Sequence, residues 1–145
     1  MIRIHGLYPR LLALPRGMRV LACLAVFAVI AFASSLSGGS NGGAPDTRAF
    51  VLNWGHQWIF GALAVSLALA AGVRLPARPI LGFGLLLLVA TVGIADEIHQ
   101  ASNPARDSSV WDLVSDILGA GIALAIAGWT ARHDPPTLRM GPLLF

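Results

Sequence analysis

Four apolar stretches, each long enough to cross a lipid bilayer, limit this chain more than any other feature. A bilayer's hydrocarbon core is about 30 Å thick and an α-helix rises about 1.5 Å per residue, so roughly twenty residues span it. The stretches run from about Met18 to Leu36, Trp54 to Val73, Ile80 to Gln100 and Val110 to Thr130. Most glycines and prolines fall between them, which cuts the chain into helices and short connections. Of 145 residues 56% are hydrophobic and only 12% are charged, too few polar groups to clothe a water-soluble domain. The pattern predicts an all-α fold, an integral membrane bundle of four transmembrane helices. Residues 1–17 form a cytoplasmic segment, 18–130 the membrane domain and 131–145 a cytoplasmic tail.

The charges then give an orientation. All ten basic residues are arginine, and they lie beside the apolar runs rather than in a nucleic-acid-binding patch, so no nucleic-acid partner is expected. Arg3, Arg10, Arg16, Arg19, Arg74, Arg78, Arg132 and Arg139 fall on one side of the four spans, and only Arg48 and Arg106 on the other. Basic residues are retained in the cytoplasm during insertion, which places both termini there. Trp54, Trp58 and Trp111 then lie near the outer interface and Trp129 near the inner one, where amphipathic rings prefer to sit. Cys23, the single cysteine, supports neither a disulfide framework nor a cysteine metal site, and the charged residues before it argue against lipidation. Ala31-Phe32-Ala33 offers an alternative for the first run as a cleaved signal peptide, which would leave three helices and the same outward face.

Chemistry is concentrated at that outward face. In Asp96-Glu97-Ile98-His99-Gln100, helical spacing brings Asp96 beside His99 and Gln100, and Glu97 beside Gln100. Asp112 and Asp116 are four apart at the start of the next helix and share a face, so two acidic faces confront each other. Asp116 lies within the span, where an unpaired ionised carboxylate costs up to about 3 kcal/mol, and it must face the bundle or water. Arg106 in the connecting loop is the natural counter-charge. His56, at the start of the second span, lies at the same level as His99. It is either an interfacial histidine or a further member of the group, as a base or a metal ligand.

Three readings of the cluster stand side by side. In the first it binds a polar or anionic lipid-linked ligand through Asp96, Glu97, Gln100, Arg106, Asp112, Asp116 and His56. In the second it is a membrane-embedded hydrolase or transferase, with Glu97, His99 and Asp112 as catalytic candidates, although no nucleophile motif accompanies them. In the third it holds helices together, with Arg106 paired to a carboxylate and Asp112 capping its helix. The spacing reproduces no metal-ligand signature, so no metal site is assigned and the cofactor is unknown. Ser115, Gly119 and Ala123 recur every four residues and predict a close helix contact, and Gly82, Gly84 and Gly93 allow either a similar contact or bending.

Taken together, Asp96-Glu97-Ile98-His99-Gln100, Arg106, Asp112, Asp116 and Gly119 resemble the VanZ-like family, with Ser34-Ser35, His56 and Phe60 as looser matches. Phe60 stands where that family commonly has tyrosine, and Asp116 where asparagine is usual. The family's usual Asp-Lys pair ahead of the histidine is absent. The resemblance implies a small polytopic protein of the bacterial cell envelope, in a family named for a member associated with resistance to the glycopeptide teicoplanin. It implies no reaction.

Overall fold

A computed structural model describes residues 7–35, 47–75, 79–102 and 110–132, with the side chains of 47–54 and 56 outside the described set. Every element in these residues is a helix: α1 (Leu7–Leu12), α2 (Arg16–Ser35), α3 (Thr47–Ala70), α4 (Pro79–Ala101) and α5 (Val110–Arg132). The described residues are therefore all-α, as the apolar pattern predicts. Three helices, α2, α4 and α5, are long and apolar enough to cross a membrane, and Gln57–Ala70 within α3 forms a shorter apolar helix.

Local chemistry explains the helix ends. The carbonyl of Pro15 accepts the amides of Met18 at 3.0 Å and Arg19 at 3.3 Å, starting α2. Pro79 opens α4, where a missing N–H costs nothing. α3 ends on Gly72, whose φ of +69° is strained for any residue with a side chain. The amides of Val73 and Gly72 bond back to the carbonyls of Ala68 at 2.9 Å and Leu69 at 3.0 Å, closing the last turn as a Schellman cap.

The long helices alternate in direction. Arg19, early in α2, reaches Leu69 at the end of α3, while Ser34 at the end of α2 reaches Asp96 near the end of α4. Gly93, late in α4, faces Leu113 and Asp116 early in α5. α3 and α5 thus run parallel and share the most extensive contact in the molecule. It is built on small residues. A Cβ on Gly61 would lie 3.1 Å from the Gly119 carbonyl oxygen and 3.2 Å from the Ala123 Cβ. A Cβ on Gly119 would collide with the Gln57 carbonyl oxygen and approach its Cγ to 2.7 Å. The close contact expected at Gly119 and Ala123 is present, and its partner is α3.

Phe60, Leu63, Ala64 and Ala68 of α3 meet Val89 of α4 and Ala120 of α5 in the core with no exposed surface. Outward, Leu21, Leu24 and Phe32 of α2, Ile80 and Phe83 of α4, and Leu118 and Ile122 of α5 are exposed apolar side chains. Such surface on all these helices suits lipid as solvent, with backbone polar groups satisfied inside each helix.

Two features differ from the sequence expectation. The amino-terminal segment contains α1, which folds back on the bundle because Tyr8 is buried and its hydroxyl donates to the Val73 carbonyl at 2.7 Å. α3 begins at Thr47 rather than near Trp54, since hydrophobicity marks the lipid-spanning part of a helix and not its polar extension. Gly93 makes a tight contact between α4 and α5, whereas a Cβ on Gly82 or Gly84 would meet nothing within 4 Å.

Candidate functional site

The candidate site occupies the end of the bundle where α2 and α4 finish and α5 begins. Asp96 is its organising residue. One carboxylate oxygen faces the Ser34 hydroxyl of α2, and the other accepts from Gln100 Nε2 at 2.7 Å. The second bond uses the helical i,i+4 spacing that puts Gln100 over Asp96. The Ser34 hydroxyl also lies 2.8 Å from the Ile30 carbonyl of its own helix. Gln100 is 3% exposed, so the network is withdrawn from solvent. Bonds to a charged acceptor contribute about 1.5–3 kcal/mol each, which makes Asp96 a clasp between α2 and α4.

Asp116 has different surroundings. It lies six residues after the first residue of α5, about 9 Å along the helix at 1.5 Å per residue, and is 2% exposed. Its side chain faces α4, with Oδ2 3.9 Å from where a Cβ on Gly93 would stand. The Leu113 Cδ1 at 2.8 Å and Phe60 Cε1 at 3.7 Å surround the same point. The absence of a side chain at residue 93 lets Leu113 pack closest against α4, with the carboxyl at van der Waals distance from the same point. The like charges of Asp96, Asp112 and Glu97 bear on Asp116, yet its Oδ1 is buried and meets no hydrogen-bond donor. A buried carboxylate oxygen without a donor is costly, about 1–3 kcal/mol or more for a charged group, and is rare unless the site has a use for it.

The other expected residues take varied positions. Asp112 sits half-buried in the first turn of α5, where the helix dipole favours an acid, and its carbonyl accepts from the Ser115 hydroxyl at 2.9 Å. Glu97 is half-buried on α4. His99 is exposed on α4, while Ser34 and Gln100 meet the two carboxylate oxygens of Asp96. Arg106 lies outside the described residues, as does the side chain of His56. Among the described residues no group of three or more His, Cys, Asp or Glu side chains is arranged to hold a metal ion.

Three contributors were not among the expected site residues: Ser34, Gly93 and Phe60. A serine pair closing an apolar run is a weak signal, because serine at a helix end usually caps or meets solvent. Gly93 was visible only as one of several glycines on α4. Away from the acids, a groove of about 380 Å³ opens between α1, α3 and α5, walled by Leu7, Leu11, Trp58, Val65, Ile122 and Ile126 and lined by no carboxylate.

No protein-family model matches this chain, and no curated protein or solved structure does either.

Proposed function

We propose that the chain is a VanZ-like membrane protein of the bacterial cell envelope that holds the polar head of a lipid-linked ligand at its acidic end. In this reading α3 crosses the bilayer together with α2, α4 and α5, because its 24 residues alternate in direction with three apolar helices and supply the fully buried core residues Phe60 and Leu63. Four crossings put both termini on one side. The arginine distribution makes that side the cytoplasm and turns the acidic end outward.

The observation that carries a ligand-binding role, rather than a purely structural one, is the unmatched Asp116 Oδ1. A clasp needs its members satisfied, and Asp96 meets that requirement while Asp116 does not. Arg106, from the connecting loop, supplies the positive charge for an anionic part of the same ligand. The test is native mass spectrometry of the protein extracted with its surrounding lipid, compared between wild type and Arg106→Gln. Reduced retention of co-purifying anionic lipid with unchanged thermal stability is the expected result. Equal retention in both proteins overturns the reading. Labelling single cysteines at residues 103 and 139 from either side of intact cells tests the orientation independently.

A further inference from the structure

We propose that the cleft between the start of α4 and the end of α5 holds one acyl chain of an anionic phospholipid, whose phosphate is met by Arg132 and Arg74. The site lies at the opposite end of the bundle from the acids and does not depend on what they bind. α4 and α5 touch closely where Leu113 approaches Gly93. Gly82 lies eleven residues earlier, about three turns, and so on the same face of α4. There a Cβ would meet nothing within 4 Å, because the two helices have moved apart. The cleft that results has a volume of about 500 Å³. Phe83, Leu86 and Leu124 form apolar walls, Gly82 and Gly128 leave room between them, and Trp129 and Arg132 stand towards the end of α5.

Shape and charge together select the occupant. Leu124 and Arg132 are eight residues apart, about 12 Å of helix, which fits within the roughly 15 Å hydrocarbon depth of one leaflet. Over that length about 500 Å³ gives a mean cross-section near 40 Å², about half that of a helix 10 Å across. A helix of a second copy would lie over the cleft, whereas a hydrocarbon tail enters it. Arg132 is exposed where it lines the cleft, and the exposed Arg74 lines an adjoining recess that shares Leu75 with it. Arg19, at the same end, is already bonded to the Leu69 carbonyl. Among the described residues every carboxylate (Asp96, Glu97, Asp112 and Asp116) belongs to the other end, so none neutralises these guanidiniums. Guanidinium matches phosphate oxygens with paired donors, and basic pockets between membrane helices suit anionic headgroups. A choline headgroup carries a phosphate too, but the two arginines repel its ammonium. Trp129, 52% exposed, stands beside Arg132 where an indole favours the membrane interface.

The full-length protein is placed in nanodiscs of phosphatidylcholine with increasing phosphatidylglycerol, and the lipid it retains is counted by native mass spectrometry. Preferential retention of phosphatidylglycerol over phosphatidylcholine is the expected result, with an unfolding midpoint that rises with its fraction. Inorganic phosphate added in detergent should give no such rise, because an anion without a tail leaves the cleft empty. Arg132→Gln and Arg74→Gln should each weaken retention about fivefold, the effect of one basic residue at a membrane surface. Gly82→Leu places a side chain where the Cβ has open space, fills the cleft and should weaken retention about tenfold.

The series is repeated in the Arg106→Gln background, which lacks the arginine invoked at the acidic end. Retention that survives there and falls with Arg132→Gln belongs to this cleft. Equal retention of the two lipids, equal protection by phosphate alone, or retention unchanged in Arg132→Gln overturns the proposal. A dimer that becomes a monomer in Gly82→Leu would give the cleft to a second copy and overturn it as well. Arg132 is the exposed last residue of α5, so its substitution leaves the bundle intact and decides the matter if Gly82→Leu does not fold.

Discussion

The two ends of the bundle handle buried polar groups in opposite ways. At the end holding α1, side-chain donors meet backbone acceptors: Tyr8 donates to the Val73 carbonyl at 2.7 Å and Arg19 Nη1 to the Leu69 carbonyl at 2.6 Å. Both acceptors lie at the end of α3 or just beyond it, where carbonyls run short of intrahelical donors and have capacity for a side chain. Positive charge is also favoured at a helix C-terminus. At the other end, carboxylates from two helices are gathered, and one of them, Asp116, keeps an oxygen without a donor. Arg19 also leaves its Nε unmatched, but that guanidinium is anchored through another nitrogen. The difference separates a fastening from a site left incomplete: the first end gains stability from its polar groups, and the second holds one of its own at a cost.

Both ends hang on the same α3–α5 contact, so breaking that contact should loosen them together and give the largest effect. In Gly119→Val a new side chain would be driven into the Gln57 backbone, which cannot swing aside as a side chain does. Overpacking costs about 1–3 kcal/mol where side chains can adjust, and a clash with backbone reaches the top of that range or beyond it. The expected result is a loss of at least about 3 kcal/mol in detergent unfolding, with cysteine labelling increased at Cys23 and, in a second variant, at Gln100→Cys of the acidic end. Labelling confined to one end would mean that the two regions fold independently, and the comparison would lose its common frame.

Asp96→Asn sharpens the comparison at the acidic end. Two donors, from Ser34 and Gln100, require two acceptor oxygens, and an amide supplies one. A loss of about 2 kcal/mol is expected in thermal or denaturant unfolding. An unchanged midpoint would show that Asp96 is no clasp. The i,i+4 pairing of Asp96 with Gln100 was legible in the sequence because it depends on helical geometry alone. Its pairing with Ser34 was not, because 62 residues separate the two and only the packing of α2 against α4 brings them together.

Long apolar runs likewise announced the helices. The helical register of Ser115, Gly119 and Ala123 announced a tight contact without naming its partner. What stayed hidden had no local period: a six-residue α1 held by one phenol, and a close approach of Leu113 to Gly93 that the lack of a side chain permits. Asp116 was recognised as a residue that must face inward, but whether a donor awaited it there depends on three other helices.

Tyr8 tests the opposite end through pH. Burial pushes its phenol up to about 12, with the Arg19 charge working in the other direction, from an ordinary value of 10.0. The folded state therefore holds this proton more tightly than the unfolded chain. Its contribution to stability is complete below about pH 10 and is lost as pH rises from about 10 towards 12. The chain has one tyrosine and no lysine, so few other groups titrate in that window. Tyr8→Phe should cost about 1 kcal/mol at neutral pH by stranding the Val73 carbonyl, and should flatten the alkaline decline seen in the wild type. A variant with the same alkaline slope as the wild type would assign that decline to another group.

The smallest effect is expected on the exposed face of α4, near its start. Gly84 of α4 is exposed, and a Cβ there would meet nothing within 4 Å, in contrast to Gly93 on the same helix. Glycine in a helix interior costs about 0.5–1 kcal/mol relative to alanine through backbone entropy. Gly84→Ala should therefore raise stability by about 0.5 kcal/mol, measured against Gly93→Ala, which must displace Leu113 and should lower it. If Gly84→Ala lowered stability instead, a new methyl group would be clashing with something seated on that face. The flatness of α4 at Gly82 and Gly84 would then belong to an interface with a second helix, and the balance between the two ends would have to include the contacts that partner makes.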